Sequence, residues 1–164
     1  MANERFIRNE DGLYLVPEPV QREDILDQAA EILFEDLSNC QSMTNPTVAG
    51  RFLQAKLAGE PNEQFVALFL DNRHRLRAFE ELFSGTINGA AVYPRVVVMK
   101  ALKHNAAAVI FAHNHPSGDP EPSEADRRLT RRLQDALGLI DIRVLDHLVV
   151  TGSDLVSMAE RGWL

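Results

Sequence analysis

The run Ala106-Ala107-Ala108-Val109-Ile110-Phe111-Ala112 constrains this chain more than any other stretch. Seven consecutive apolar residues leave no wet face, so the segment suits an interior strand covered on both sides. The run delivers His113-Asn114-His115-Pro116-Ser117-Gly118 to its end, where an interior strand meets the surface. Side chains alternate along an extended segment, so His113 and His115 share a face. Asp126 follows His115 by eleven residues and can return to that face once the loop between them turns. Two imidazoles and one carboxylate form a ligand set that zinc uses in catalytic sites, with a fourth position for water. The chain therefore reads first as a metal-dependent hydrolase.

The rest of the pattern places helices and strands around that run. Ile25, Leu26, Ala29, Ala30, Ile32, Leu33 and Leu37 make a helical stripe from about Glu23 to Leu37. Residues 38–46 are polar and turn-like, and Asn45-Pro46 opens a second helix through Val48, Phe52, Leu53 and Leu57 that stops near Gly59. Gln64 to Leu70 reads as a buried strand, Asp71 to His74 as its turn, Leu76 to Phe83 as the returning strand and Gly85 to Tyr93 as another. Pro94 to His104 is ambiguous: three consecutive valines favour strand, whereas Pro94 at a first helical position favours helix. Three prolines and a glycine restrict the loop over 116–122. Ser123 then caps a helix to Leu137 that Gly138 ends. Ile142 to Val150 is a final strong strand, and Asp154 to Leu164 a short terminal segment. Residues 1–21 show no clear period and read as an extended arm.

Bulk properties narrow the class. At 164 residues the chain holds one well-buried core and is short for two. No stretch approaches the roughly 18 apolar residues of a membrane span, and the charged N-terminus has no secretory core, so no membrane association is expected. The single cysteine, Cys40, excludes an internal disulfide and a multi-cysteine zinc site, and a reducing cytoplasmic compartment is the default expectation. Residues 1–42 carry ten acids and three bases, whereas residues 43–164 carry fourteen of each. The imbalance of −7 thus sits in the N-terminal quarter, and no global basic field draws the protein to nucleic acid.

Each candidate residue also has a plainer reading. Asp126 in the first turn of a helix interacts with the helix dipole whether or not a metal is present, and Ser123 serves equally as an N-cap. Asp146-His147, a polar pair in an apolar strand, either orients a ligand or is a hydrogen-bonded structural pair. Arg127, Arg128, Arg131 and Arg132 lie on the outer face of the Ser123 helix. They fit phosphate contacts or, more simply, a solvated face paired with Glu124 and Asp135. His74 in a turn and His104 near a helix end carry no further signal.

The spacing His113-x-His115, seven residues, Ser123, two residues, Asp126 resembles the JAMM metal signature of MPN domains. The wider text LFSGTINGAAVYPR, LKHNAAAVIFAHNHPSGDPEPSEAD, RVLDHLVV and AERGWL resembles the bacterial RadC family over about residues 43–164. The resemblance implies an α/β (α+β) three-layer fold of the MPN, cytidine deaminase-like kind, a central mixed sheet flanked by helices. Residues 1–42 would be an acidic arm and helix preceding the MPN domain at 43–164, too short for the helix-hairpin-helix region of full-length RadC proteins. It implies Zn2+ held by His113, His115 and Asp126, Ser123 stabilising the oxyanion, and a glutamate general base. That base is expected at Glu63, where the RadC pattern places an acid. A solvated residue at a strand start is the other reading, and Glu80 and Glu81 are outside candidates. Many RadC-like sequences carry a further acid after Pro-Arg, but Val96 follows Pro94-Arg95 here, so that position supplies no base.

The function so implied is a zinc metallopeptidase or isopeptidase acting on a peptide or protein substrate. The alternatives are a RadC-type protein of DNA repair that binds nucleic acid, and a metal-binding MPN scaffold. The letters His-Asn-His do not indicate an HNH nuclease, whose residues are spread over a ββα unit. A zinc nucleobase deaminase needs paired cysteines that this chain lacks.

Overall fold

The computed structural model describes residues 5–39, 46–85 and 92–164. A small antiparallel hairpin, β1 (Ile7–Arg8) with β2 (Tyr14–Leu15), comes first. The expected arm is thus a hairpin, though a shallow and largely exposed one. Two helices follow, α1 (Arg22–Asn39) and α2 (Pro46–Leu57), then the antiparallel pair β3 (Glu63–Leu70) and β4 (Leu76–Gly85). Helix α3 (Pro94–Lys103), β5 (Ala108–Asn114), α4 (Glu124–Gly138), β6 (Arg143–Val150) and β7 (Leu155–Ser157) complete the chain.

The five-stranded sheet has the order β4-β3-β5-β6-β7. Only β5 and β6 run parallel, which makes the sheet mixed. The apolar run is its central strand, and every residue of β5 is buried. Alternation sorts the core into two layers. Val66, Leu68, Leu70, Ala108, Ile110 and Ala112 face α1 and α2, with Ala30, Leu37, Phe52, Leu53 and Leu57. Phe65, Ala67, Phe69, Val109 and Phe111 face α3 and α4, with Val97, Ala101, Leu133 and Leu137. Fully burying each of the larger of these side chains contributes roughly 1.5–3 kcal/mol, so the two layers dominate the stability. Helices on both faces of one mixed sheet are the three-layer α/β architecture of an MPN domain.

The ambiguous segment over 94–104 is a helix. Pro94 occupies its first turn, and Val97 and Ala101, four apart, are the buried pair that faces the sheet. The valines follow packing rather than strand propensity. Gly50 lets α2 lie against β7, because a Cβ there would stand 2.6 Å from Leu155 Cδ2. The strand expected over 85–93 falls mainly on residues outside the described set, as does Cys40. Helix α4 includes Gly138 rather than stopping before it, and the left-handed turn after it falls on Asp141, with φ of 58°. Among the described residues, no helix is long and apolar enough to cross a membrane.

Candidate metal centre

Residues Val109 and Phe111 of β5 point to the α3/α4 layer, so period two sends His113 the same way, and it is 1% exposed. His115 lies just past the strand end, its N–H donating to the Val150 carbonyl at 2.9 Å. A turn closed from Gly118 N–H to the His115 carbonyl at 3.0 Å reverses the chain there. Gly118 takes φ of 84°, a conformation that favours glycine. The chain then enters α4 through a capping box. Asp126 N–H donates to Ser123 Oγ at 3.1 Å, and Ser123 N–H donates to Asp126 Oδ2 at 2.7 Å. The Ser123 hydroxyl also donates to Asp126 Oδ2, at 2.6 Å.

These local devices bring three acceptor groups together. His113 Nε2 and His115 Nε2 are 2.9 Å apart. Asp126 Oδ1 lies 3.4 Å from the first, and Asp126 Oδ2 lies 3.6 Å from the second. Ligands about 2.05 Å from a tetrahedral zinc stand roughly 3.3 Å from one another, so this triangle has the size of one face of such a site. His115 Nδ1 donates to the Asp119 carbonyl at 2.7 Å, which leaves its Nε2 lone pair facing the group. Among the described residues, His113, His115 and Asp126 are the group of side chains that can hold a metal ion.

The charges agree with a cation-binding centre. Burial alone would raise the Asp126 carboxyl, but hydrogen bonds from His113, His115 and Ser123 hold it well below the usual range. The α4 N-terminus favours the same anion. His115 is raised, first by its hydrogen bond to Asp126 against opposing burial, then by the Asp119 carbonyl and the charges of Asp126 and Glu63. Behind the group, His147 of β6 is fully buried, and burial together with the neighbouring His113 pushes it well below its ordinary value. Its ring meets His113 Nδ1 at 2.8 Å through Nε2 and Thr130 Oγ1 at 2.5 Å through Nδ1.

Glu63 begins β3 on the same face. Phe65 stands opposite His113 in the antiparallel β3–β5 ladder, so two residues further along each strand Glu63 comes level with His115. Asn114, on the opposite face, fastens the segment that carries Glu63. Its Oδ1 accepts from Gln64 N–H at 2.7 Å, and its Nδ2 donates to the Asn62 and Glu60 carbonyls at 3.0 and 3.3 Å. Each letter of His-Asn-His thus has a separate task, and the middle one is an anchor.

The other candidates lie elsewhere. Glu80 binds Lys100 at 2.5 Å and His104 at 2.6 Å, and these hydrogen bonds lower it to about 2. It ties β4 to α3 rather than serving the centre, and Glu81 is exposed. His74 lies in its turn against Arg143. Arg128, Arg131 and Arg132 are exposed, whereas Arg127 pairs with Glu124 and lies 4.3 Å over the Trp163 ring. Thr130 was invisible to the sequence reading. Its one signal is a hydroxyl on the inner stripe of α4, four residues after Asp126, among Leu129, Leu133 and Leu137.

With this geometry in place, residues 43–163 match the family described as RadC-like JAB domain. The chain belongs to that family. A UPF0758 protein of Cellvibrio japonicus is 59% identical over 145 residues, covering 88% of this chain and 65% of the relative. A UPF0758 protein of Vibrio cholerae serotype O1 is 56% identical over 151 residues, covering 92% of this chain and 95% of the relative. A third, from Tolumonas auensis, is 55% identical over 145 residues and 65% covered. The chain therefore spans about two thirds of the length of some curated relatives and nearly all of another.

Proposed function

We propose that this RadC-like JAB chain is a zinc-dependent metallopeptidase or isopeptidase, residues 43–164 forming the catalytic unit and residues 1–42 an acidic appendage packed on it. The observation that carries the reading is the triangle of His113 Nε2, His115 Nε2 and Asp126, sized for a tetrahedral ion, with Glu63 level with His115 across the ladder. The two histidines and Asp126 would hold the metal. A zinc ion held there supplies a water acidified toward a pKa of ~7 and a Lewis acid for the carbonyl oxygen.

The remaining steps belong to the chain. Glu63 takes one proton from the attacking water as its oxygen bonds to the carbonyl carbon. The same carboxylic acid then returns that proton to the leaving nitrogen as the carbon–nitrogen bond breaks. Ser123 holds Asp126 in orientation and offers its hydroxyl to the oxyanion as charge builds there. Asn114 keeps Glu63 within reach, and the Pro116–Pro122 loop walls one side of the centre.

A peptide-library cleavage screen on zinc-loaded protein, with His113→Ala as control, tests the reading. About one zinc per chain and cleavage lost in the control are expected. Cleavage that persists in His113→Ala, or a folded protein that takes up no zinc, removes it. Glu63→Gln is expected to bind zinc and cut nothing, whereas full activity in that variant excludes Glu63 as the base. The exposed Arg128, Arg131 and Arg132 favour a second reading, contact with an anionic partner such as nucleic acid. Salt-dependent DNA binding lost when these arginines are replaced would support it, and its absence at low salt would end it.

A further inference from the structure

We infer that His147 and Thr130 are positioning residues that set which ring nitrogen of His113 carries hydrogen, and thereby leave its Nε2 lone pair open toward the centre. The inference rests on reading His113, His115 and Asp126 as ligands, and it concerns atoms none of which belongs to that trio's own contacts.

The logic starts at Thr130, whose hydroxyl has one hydrogen. The Asp126 carbonyl oxygen lies 2.7 Å away and can only accept, so the hydrogen goes there. At 2.5 Å from His147 Nδ1, the Thr130 oxygen is then an acceptor, which places a hydrogen on Nδ1. The His147 ring is 0% exposed and lies edge-on to Phe65 and Phe111, with ring centroids 5.3 and 6.1 Å away. No carboxylate is hydrogen-bonded to it, so that setting favours the neutral ring, and its Nε2 is bare. That bare nitrogen accepts from His113 Nδ1 at 2.8 Å, which puts the His113 hydrogen on Nδ1 and clears Nε2.

The opposite arrangement fails at both ends. A hydrogen on His147 Nε2 would make Nδ1 an acceptor facing a hydroxyl already committed to the carbonyl. It would also move the His113 hydrogen to Nε2, between His113 and the ligands it should join. His115 solves the same problem locally through the Asp119 carbonyl, four residues away. His113 solves it through a buried path across β6 and α4. That path begins on one ligand and ends on the backbone of another, so it also sets the spacing of β5 from α4.

Two readouts test the relay. Two-bond nitrogen–proton NMR on the metal-free protein reports the His113 tautomer directly, without reference to metal. Zinc affinity, measured by chelator competition, reports the consequence. The wild type is expected to show hydrogen on His113 Nδ1. Thr130→Val, which keeps the shape and removes the acceptor, is expected to give a mixed tautomer and to weaken zinc binding about 10- to 100-fold. Thr130→Ser is expected to restore both, and His147→Gln, whose amide offers an acceptor and a donor, is expected to restore part of what His147→Leu loses. Hydrogen on His113 Nε2 in the wild type overturns the relay, as does wild-type tautomer and affinity in folded Thr130→Val. If the wild type takes up no zinc, the metal reading fails, and the NMR result still decides the relay by itself.

Discussion

Replacing Asn114 by alanine separates the anchor from the ligands on either side of it. The side chain is 2% exposed and makes three hydrogen bonds to the 60–64 segment, one of them long at 3.3 Å. At about 1 kcal/mol net for each bond, with the long one discounted, Asn114→Ala should cost about 2–3 kcal/mol. For a domain of this size that lowers Tm by about 5–10 °C, measurable by circular dichroism. His113, His115 and Asp126 touch none of these bonds, so zinc affinity should stay within about threefold. Glu63 loses its fastening, so kcat/KM on the best library peptide should fall about 10- to 100-fold, less than the ~10²–10⁴ that a general base supplies outright. Asn114→Asp should be no better, because it keeps an acceptor for Gln64 N–H but turns a second acceptor on the Glu60 and Asn62 carbonyls. Wild-type Tm and activity in Asn114→Ala would refute the anchor. Zinc affinity falling in step with activity would show that Asn114 acts on the ligands and not on Glu63.

Further expectations follow from other parts of the molecule. Glu80 is held at about 2 against an ordinary 4.5 by Lys100 and His104. A lowered carboxyl stabilises above its unfolded value and loses that effect as pH falls, so Glu80→Gln should cost about 1–2 kcal/mol at pH 7, allowing for partial exposure. In urea titrations that difference should shrink between pH 4.5 and 2, and a constant difference would exclude the ion-pair origin. Ser123→Ala should cost about 1 kcal/mol through the lost N-cap and also weaken zinc binding, since Asp126 loses its orienting donor. Zinc at a hundredfold excess over Kd should add about 2.7 kcal/mol and raise Tm by about 5–10 °C, reversed by chelator and absent in Asp126→Asn.

Short-range rules made much of the centre legible in the sequence. Period two along an apolar strand puts His113 and His115 on one face, and the three-residue spacing of a capping box joins Ser123 to Asp126. Both relations hold within a few residues of chain, where backbone geometry alone decides them. Longer relations were not written there. Alternation assigns Glu63 to a face, but nothing local tells which strand lies beside it or in what register. The β3–β5 ladder decides that, and with it that Glu63 meets His115 while Glu80 turns to α3. The Pro94 segment likewise kept both strand and helix open until the packing of Val97 and Ala101 chose.

The sequence by itself determined the ligand triad, its cap and the interior strand that carries it, because each rests on contacts within one turn or one strand. The tertiary structure alone decided what surrounds the triad. His147 lies 34 residues from His113, Asn114 reaches back about 50 residues to its partners, and Thr130 joins two elements that share no local pattern. Such contacts exist only after the sheet has set its strand order and the helices have closed on it, since they depend on packing at a distance and not on any spacing along the chain.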